Sequence, residues 1–348
     1  MMIRVAIVGF GLSGRVFHAP FIHILEGYQL THVVTSRQQE VNALYPDVAV
    51  IDSTEALFKQ KCVDLVIITT PNEQHFPMAK AALLSGHHVV TEKPFVIDSK
   101  QGKELVQLAE RRNRILSVYQ NRRFDTAMLT LQRLITEQRL GEIMQYEAHF
   151  DRFRPYAEQS KWRQQDRPGS GILFDLGSHL IDQALMLFGQ PERVFADLAI
   201  QAEDGKTNDY VHLIFSYQSR RVILHMGSVV SSQTPHLSVQ GTRGSLIINQ
   251  LDPQEGLLRA GNLPGDANWQ QVMNDQQALL NLAQENTVNI TPEKIDCQPG
   301  DYRRFYQQLA SCIENNTENP VSAKSALKTI ELIEACYLSH AQGRWITL

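Results

Sequence analysis

One lysine of this 348-residue chain has a sequence context that suggests chemistry rather than simple solvation. Lys93 stands between Glu92 and Pro94, directly after the strand-like run 88–91. Proline disfavours the α-helical region for the residue before it, so Lys93 is predicted to project from a strand end instead of lying in a helix. Open α/β sheets bind ligands at the carboxyl ends of their strands, which favours a functional role over an ordinary surface charge.

A second stretch combines carboxylates with a histidine. Asp175, His179 and Asp182 are spaced i, i+4 and i+7, so they share one face of a helix predicted over about 173–187. A histidine can accept the hydroxyl proton of an alcohol while hydride leaves the carbon, and an ammonium such as that of Lys93 would stabilise developing alkoxide character. A solvated helix face and a metal site are the alternatives, and no third cluster of strong ligands is evident for the metal.

A glycine-rich turn near the N-terminus predicts a dinucleotide-binding site. The turn follows a predicted strand, opens a helix and matches GxGxxG with Gly9, Phe10, Gly11, Leu12, Ser13 and Gly14. In this pattern the first glycine permits the tight turn, the second lets the backbone approach the pyrophosphate, and the third allows close strand–helix packing. The helix N-terminus then faces the phosphates.

The end of the second predicted strand indicates which dinucleotide is preferred. NAD-selective folds usually carry an acidic residue about 20 residues beyond the glycines, where it bonds the ribose 2′-hydroxyl. This chain has Ser36 and Arg37 instead, with no carboxylate before Glu40. A hydroxyl and a guanidinium suit a 2′-phosphate, so we predict NADP(H) rather than NAD(H). An ordinary solvated arginine is the alternative for Arg37.

A further strand end contributes to the same predicted site. Thr70, Pro71 and Asn72 lie on the carboxyl edge of the sheet, where Asn72 offers a donor and an acceptor to a ribose. His75 belongs to this cofactor-binding segment by position. Its place in the first turn of the next helix predicts a cap or packing role rather than catalysis.

The first 120 residues alternate strands with helices, which predicts βαβ units and a parallel sheet covered on both faces. The predicted strands span 3–8, 30–35, 64–69, 88–92 and 115–119. The predicted helices span 14–25, 73–84 and 99–112, the last with Asp98 as its N-cap.

After Phe124 the rhythm changes, and we place a domain boundary near Arg122, giving domains 1–122 and 123–348. Strands that follow one another without intervening helices predict an antiparallel or mixed sheet. They are expected at 143–150, 193–201, 210–217, 221–227, 236–241 and 245–249. Helices are expected at 126–138, 173–187, 301–314 and 323–340, with a further helical stretch near 269–285 in the otherwise illegible segment 252–300.

Composition excludes several classes of protein. The net charge is −4 and the pI about 6.3, so nothing recommends nucleic acid or an anionic membrane as a partner. The four cysteines are scattered and form no CxxC pair, which fits a reducing cytoplasm better than a zinc site or a disulfide framework. No apolar run is long enough to span a bilayer, and a first strand at residue 3 predicts no signal peptide.

Taken together, these motifs and their order resemble the Gfo/Idh/MocA oxidoreductases. The resemblance rests on the GxGxxG turn, the Thr-Pro-Asn and Glu-Lys-Pro strand ends, and the glycine-led helix with its Asp-x-Gly-x-His-x-x-Asp pattern. It also rests on Gln120-Asn121-Arg122-Arg123-Phe124, on Gly141-Glu142-Ile143 and on Trp162-Arg163. One departure is Ser170, where many members have a third glycine.

The resemblance implies an α/β fold, in which an N-terminal Rossmann domain precedes a C-terminal α+β domain built on an open mixed β-sheet. It implies that Lys93, Asp175 and His179 are catalytic, with His179 as the acid/base, and that the bond before Pro94 is cis. It adds Glu92, Lys93, Pro94, Gln120, Asn121, Trp162 and Arg163 to the cofactor-binding residues, and no metal. The mixed sheet commonly mediates oligomer formation in the family, so a homo-oligomer is expected.

Within the family, residues 9–20, Ser36-Arg37 and the Thr-Glu-Lys-Pro-Phe run look most similar to NADP-dependent scyllo-inositol dehydrogenases. That similarity implies hydride transfer between NADP(H) and a secondary alcohol or ketone of a cyclitol or sugar. Two alternatives stay open. One is a non-catalytic NADP-sensing regulatory protein, and the other is a reductase of a different carbonyl, imine or diol substrate.

Overall fold

The computed structural model describes residues 2–59, 62–158, 164–232, 234–283 and 289–348. The chain forms two compact units. Unit 1 comprises residues 1–121 and 302–330, and unit 2 comprises residues 122–301 and 331–348. Within the described residues, no helix is both long enough and apolar enough to cross a membrane.

The strands are numbered in chain order. They are β1 (Ile3–Val8), β2 (Tyr28–Val34), β3 (Ala49–Ile51), β4 (Leu65–Ile68), β5 (His88–Thr91), β6 (Leu116–Val118), β7 (Ile143–Asp151), β8 (Arg193–Ala199), β9 (Tyr210–Ser216), β10 (Arg221–Gly227), β11 (Leu237–Gly241), β12 (Gly244–Ile248), β13 (Gln277–Ala283), β14 (Ile290–Asp296) and β15 (Ile346–Thr347).

The helices are α1 (Ala19–Ile24), α2 (Gln38–Leu44), α3 (Thr54–Phe58), α4 (His75–Leu84), α5 (Ser99–Arg112), α6 (Thr126–Thr136), α7 (Ser178–Phe188), α8 (Gln254–Arg259), α9 (Ala267–Asn274), α10 (Arg303–Asn315) and α11 (Ala323–Gln342). Short π-helical turns at Gly14–His18 and Leu173–Gly177 precede α1 and α7. The helices predicted at 14–25 and 173–187 therefore each begin with a wider turn than expected.

Unit 1 is built on a parallel six-stranded sheet in the order β3-β2-β1-β4-β5-β6. This is the strand order of a dinucleotide-binding Rossmann fold, which confirms the predicted class. β4 is buried along its whole length, as expected for a strand covered on both faces. Asp98 caps α5 as predicted, since its carboxylate accepts hydrogen bonds from the backbone N–H groups of Lys100 and Gln101.

The C-terminal end of unit 1 departs from the predicted domain limits. The units change over at Arg122, as the sequence predicts, but residues 302–330 return to unit 1. Contacts therefore group this stretch with unit 1, and the domain limits 1–122 and 123–348 stay a prediction. The reason is aromatic packing, because Tyr306 on α10 is fully buried beside Phe21, and Tyr28 donates a 2.8 Å hydrogen bond to its backbone carbonyl.

Unit 2 contains a nine-stranded sheet in the order β14-β13-β12-β11-β7-β10-β9-β8-β15. Among its described strands, β7 and β10 are paired in parallel and the other neighbours are antiparallel, so the predicted mixed sheet is confirmed. Side chains along β7, β9 and β10 alternate between buried apolar residues and half-exposed polar ones. One face of the sheet therefore carries core residues and the other carries most of the polar groups.

The helix predicted near 269–285 is wrong beyond its first six residues. α9 ends at Asn274, and β13 begins at Gln277. Trp269 and Met273 have the i, i+4 spacing of a helix face, whereas Ala278 and Leu280 alternate with half-exposed residues. The spacing of the buried side chains therefore changes from that of a helix to that of a strand within the segment. Residues 284 and 285 lie outside the described ranges.

Candidate active site

The glycine turn of unit 1 has the geometry that a dinucleotide requires. Gly9 has a φ of +97° and donates its backbone N–H to the carbonyl of Val34. A Cβ on Gly14 would lie 2.4 Å from the carbonyl oxygen of Gly9, so only glycine fits there. A Cβ on Gly11 would meet no described heavy atom within 4 Å, which leaves the backbone open to a pyrophosphate.

Replacing these glycines one at a time separates stability from cofactor binding. Gly14→Ala is expected to lower the free energy of unfolding by about 1–3 kcal/mol, because the new methyl group overlaps backbone. Gly11→Ala is expected to change it by no more than about 0.5 kcal/mol, while weakening dinucleotide binding. Urea unfolding and fluorescence titration with NADPH measure the two quantities. Equal stability of the two variants would contradict the close Gly9–Gly14 contact.

The end of β2 presents more positive charge than the sequence analysis anticipated. Ser36 and Arg37 are exposed, as a ligand contact requires. Arg37 lies 3.6 Å from one carboxylate oxygen of Glu40, and Arg15 lies 3.5 Å from the other. Two guanidinium groups thus share one carboxylate, which leaves a net positive charge. Arg15 was missed by the sequence analysis, although its place directly after Gly14 was a usable signal.

Thr70, Pro71 and Asn72 follow β4, and His75 fastens this strand end to the next one. The His75 ring is fully buried, with Nδ1 2.8 Å from the Pro94 carbonyl and Nε2 3.0 Å from the Thr70 carbonyl. Burial lowers its pKa, although the hydrogen bonds to the two carbonyls oppose that effect. The predicted packing role is confirmed. The ring nitrogens of His75 face backbone carbonyls, and its assignment to cofactor binding stays a prediction.

Lys93 follows the carboxyl end of β5 and is half-buried. The Lys93–Pro94 peptide bond is cis, as the resemblance implies. The backbone N–H of Lys93 donates a 3.0 Å hydrogen bond to Oε2 of Glu92. The predicted location at a strand end is therefore confirmed, and the neighbouring carboxylate holds the lysine backbone in place.

Glu92 connects the glycine turn with the lysine segment. Its Oε1 accepts a hydrogen bond from the Ser13 hydroxyl and lies 2.9 Å from Nε2 of His18. The other His18 nitrogen, Nδ1, lies 2.5 Å from the Tyr306 hydroxyl. Burial raises the pKa of Tyr306 well above its ordinary value, so the phenol keeps its proton. Because an ionised carboxylate can only accept, Nε2 of His18 donates its N–H to Glu92. Nδ1 then accepts from the Tyr306 hydroxyl.

The groups that contact the Glu92 carboxylate lower its pKa. Burial would raise the pKa, but the interactions with His18 and Ser13 and the charge of Lys93 outweigh it and hold the pKa at about 2. The carboxylate is therefore ionised throughout the working range of an enzyme. Its oxygens face Ser13, His18 and the Lys93 backbone, so the side chain positions these segments. Direct contact of Glu92 with a cofactor stays a prediction.

The pH dependence of stability tests this network. A carboxylate with a pKa of about 2, against an ordinary value of 4.5, stabilises the fold by on the order of 3 kcal/mol above pH 4.5 and loses that contribution as the pH falls toward 2. Glu92→Gln is therefore expected to lower the unfolding free energy strongly at pH 7 and progressively less below pH 4.5. Urea unfolding across this range measures the difference.

Glu104 provides the matched control for that experiment, because it forms an exposed ion pair with Lys80 on the surface of unit 1. Glu104→Gln should change the unfolding free energy by no more than about 1 kcal/mol. A Glu92→Gln deficit that stays constant between pH 7 and pH 3 would rule out the lowered pKa.

The predicted polar helix of unit 2 divides into two parts. Asp175 lies half-buried in the π-helical turn, and His179 lies in the first turn of α7. His179 and Asp182 are both buried, and Asp182 holds Arg123 through two 2.6 Å hydrogen bonds. Burial would lower the pKa of Arg123, but Asp182 outweighs it and raises that pKa. Asp182 thus anchors the helix, and the catalytic roles of Asp175 and His179 stay a prediction.

Glycine and asparagine position the start of this helix. Gly171 has a φ of +89°, and a Cβ there would lie 2.6 Å from Oγ1 of Thr207. The Asn208 side chain accepts a 3.0 Å hydrogen bond from the backbone N–H of Leu173 and donates one to Tyr337. Ser170 has no positive φ, so its departure from the family pattern is accommodated without backbone strain. A π-helical turn such as the one that carries Asp175 often marks a functional site.

The remaining predicted residues lie in different places. Gln120 and Asn121 are buried directly after β6 in unit 1. Trp162 and Arg163 lie outside the described residues. Arg152 is near enough to Asp175 for their charges to interact. Burial lowers the pKa of Arg152, and the charge of Asp175 opposes that shift.

Comparisons with known proteins cover both halves of the chain. Residues 3–120 match the oxidoreductase family's NAD-binding Rossmann fold, and residues 132–348 match its C-terminal alpha/beta domain. The chain is 41% identical over 332 residues to the uncharacterized oxidoreductase YdgJ of Escherichia coli (strain K12), covering 95% of this chain and 94% of that one. It is 37% identical over 349 residues to the scyllo-inositol 2-dehydrogenase (NADP(+)) IolW of Bacillus subtilis (strain 168), covering 99% and 96%. A solved structure of YvaA from Bacillus subtilis aligns with a TM-score of 0.96 at 36% identity, covering 100% and 98%.

Proposed function

We propose a specific reaction for this chain, which belongs to the Gfo/Idh/MocA family of oxidoreductases. The reaction is hydride transfer between NADP(H) and a secondary alcohol or ketone of a cyclitol or sugar, with a scyllo-inositol-like substrate as the model. The observation that carries the proposal is the buried connection between the glycine turn and the segment of Lys93. This connection joins the predicted cofactor-binding turn and the segment of the proposed catalytic lysine into one preorganised element.

The residues divide the proposed chemistry among them. When bound, the nicotinamide accepts or supplies the hydride. The imidazole of His179 takes the hydroxyl proton as the alcohol is oxidised and returns it in the reverse direction. The Lys93 ammonium stabilises negative charge on the substrate oxygen, and the Asp175 carboxylate orients the ring. Retention of all three residues favours an enzyme over an NADP-sensing regulatory protein, which has no chemical need for them.

The preference for NADP(H) is supported by the charges at the end of β2. Arg37 and Arg15 flank Glu40, and Ser36 offers a hydroxyl beside them. The Glu40 carboxylate neutralises only one of the two guanidinium charges, and a 2′-phosphate would neutralise the other. The relative IolW, whose name gives NADP(+) as its cofactor, supports the same preference.

Single substitutions test the catalytic assignment. Lys93→Ala and His179→Ala are each expected to lower kcat for the preferred polyol by about 10²–10⁴-fold, because each removes a group that acts on the reacting oxygen. The dissociation constant for NADPH should change little in His179→Ala, and in Lys93→Ala it should change far less than kcat, since the resemblance also gives Lys93 a contact with the cofactor. A panel of inositols and aldoses, assayed with NADP⁺ and NAD⁺, first identifies the substrate, and steady-state kinetics then compare the variants.

Lys100→Ala is the control for Lys93→Ala, because Lys100 is exposed on α5. Near-wild-type turnover of Lys93→Ala with normal cofactor affinity would refute the catalytic role. Cofactor binding without oxidation of any polyol or aldose by the wild-type protein would favour the sensor. Activity confined to an imine or a diol would favour the other reductase.

Cofactor selectivity has its own test. Arg37→Ala and Arg15→Ala should each raise KM for NADP⁺ by about tenfold or more and leave KM for NAD⁺ nearly unchanged, since a charged hydrogen bond contributes about 1.5–3 kcal/mol. Ser36→Asp should favour NAD⁺, because it restores the acidic residue that bonds a ribose hydroxyl. A wild-type enzyme that used NAD⁺ much better than NADP⁺ would contradict the proposal.

A further inference from the structure

The half-exposed face of the unit 2 sheet carries a row of histidines unrelated to the catalytic residues. In register, His212 on β9 pairs with His225 on β10, and His225 pairs with His149 on β7. The opposite face of the same strands is apolar and buried. Strand alternation therefore places three imidazoles side by side on the polar face.

Asp151 joins two of these histidines into a compact cluster. One carboxylate oxygen lies 2.8 Å from Nδ1 of His225, and the other lies 3.1 Å from Nδ1 of His149. Thr234 donates a 2.5 Å hydrogen bond to the second oxygen. Ligand atoms of the two histidines and the aspartate all lie within 4.8 Å of one another.

Two carboxylates flank the imidazole ring of His149, and this favours a positive charge in the cluster. Its Nε2 lies 2.9 Å from a carboxylate oxygen of Glu147, and its Nδ1 faces Asp151. A neutral imidazole has one N–H, so it can donate to one carboxylate and must turn a lone pair toward the other. If Nε2 carries its hydrogen toward Glu147, a second proton or a metal ion at Nδ1 would offset the lone pair that faces Asp151.

We propose that His149, Asp151 and His225 form a binding site for a divalent transition-metal ion of the zinc class. Two imidazoles and one carboxylate are a common ligand set for such ions. Ligand atoms around a tetrahedral zinc ion are about 3.3 Å apart, and those of this cluster lie within 4.8 Å of one another, so side-chain adjustments could bring them to that spacing. The proposal does not depend on the proposed function.

Glu147 has the position of an outer partner in such a site. Metal-binding histidines generally donate their second ring N–H to a carboxylate or carbonyl, which sets the tautomer and orients the ring. Here Glu147 accepts from Nε2 of His149, which leaves Nδ1 as the ligand atom. The three side chains retain 8–17% exposure, so a water molecule can complete the coordination. The ion would tie β7 to β10.

Protonation of His149 is the competing explanation for the same geometry. Burial lowers the pKa of His149, but its hydrogen bonds to Asp151 and Glu147 outweigh this and raise it, so an imidazolium is chemically reasonable without metal. The charged and titratable groups facing the cluster are Glu147 on β7, Tyr210 and His212 on β9, and Asp197 on β8. Only a direct metal measurement separates the two.

The test uses the full-length protein without a polyhistidine tag, treated with chelator and titrated with CoCl₂ or ZnCl₂. One equivalent of Co²⁺ should bind and give the visible ligand-field absorption of a nitrogen- and oxygen-coordinated ion, and Zn²⁺ should displace it. His225→Gln and Asp151→Asn should abolish this binding. Glu147→Gln should weaken it by roughly 10–100-fold. Metal should raise the Tm of the wild-type protein and leave that of His225→Gln and Asp151→Asn unchanged.

His212→Gln is the matched control, because His212 lies next to His225 in the same row and belongs to no ligand set in the described cluster. It should bind Co²⁺ as the wild type does. If Asp151→Asn fails to fold, as judged by circular dichroism, His225→Gln decides. Absence of stoichiometric Co²⁺ and Zn²⁺ binding, or unchanged binding by His225→Gln, would overturn the site and leave the protonated pair.

Discussion

The contacts of the buried Glu92 carboxylate are the interactions on which the candidate site in unit 1 depends. It accepts from Ser13 in the glycine turn and contacts His18 in the π-helical turn, while its second oxygen holds the backbone of Lys93. A buried charge is costly unless it is fully hydrogen-bonded, so these contacts must form together. The glycine turn and the Lys93 segment are consequently parts of one connected element.

In unit 2, a different set of contacts positions the helix that carries Asp175 and His179. This helix begins where the Gly171 carbonyl and the Asn208 side chain accept its first backbone N–H groups, and the Asp182–Arg123 ion pair holds a later turn. Asp182 shares the sequence pattern of Asp175 and His179 but has a structural role. A polar stripe on a helix can therefore include an anchoring residue, and the ion pair of Asp182 with Arg123 identifies it here.

The same alternation of side chains that builds the unit 2 core also builds its histidine row. Buried apolar residues on one face of β7, β9 and β10 fix the register, because a slip of one residue would exchange the faces. That register aligns His149, His225 and Asp151. The polar face thus owes its geometry to the packing of the opposite face.

The sequence by itself determined the local features: the Rossmann alternation, the glycine turn, the strand end at Lys93, the Asp98 cap and the spacing of Asp175 and His179. Each follows from steric rules or periodicities that act over a few residues. Only the tertiary structure decided the partners of Glu92, the burial of His75 and Asp182, the return of residues 302–330 to unit 1, and the metal-ligand cluster. Tyr306 lies 288 residues from His18, and no local pattern encodes a contact across such a distance.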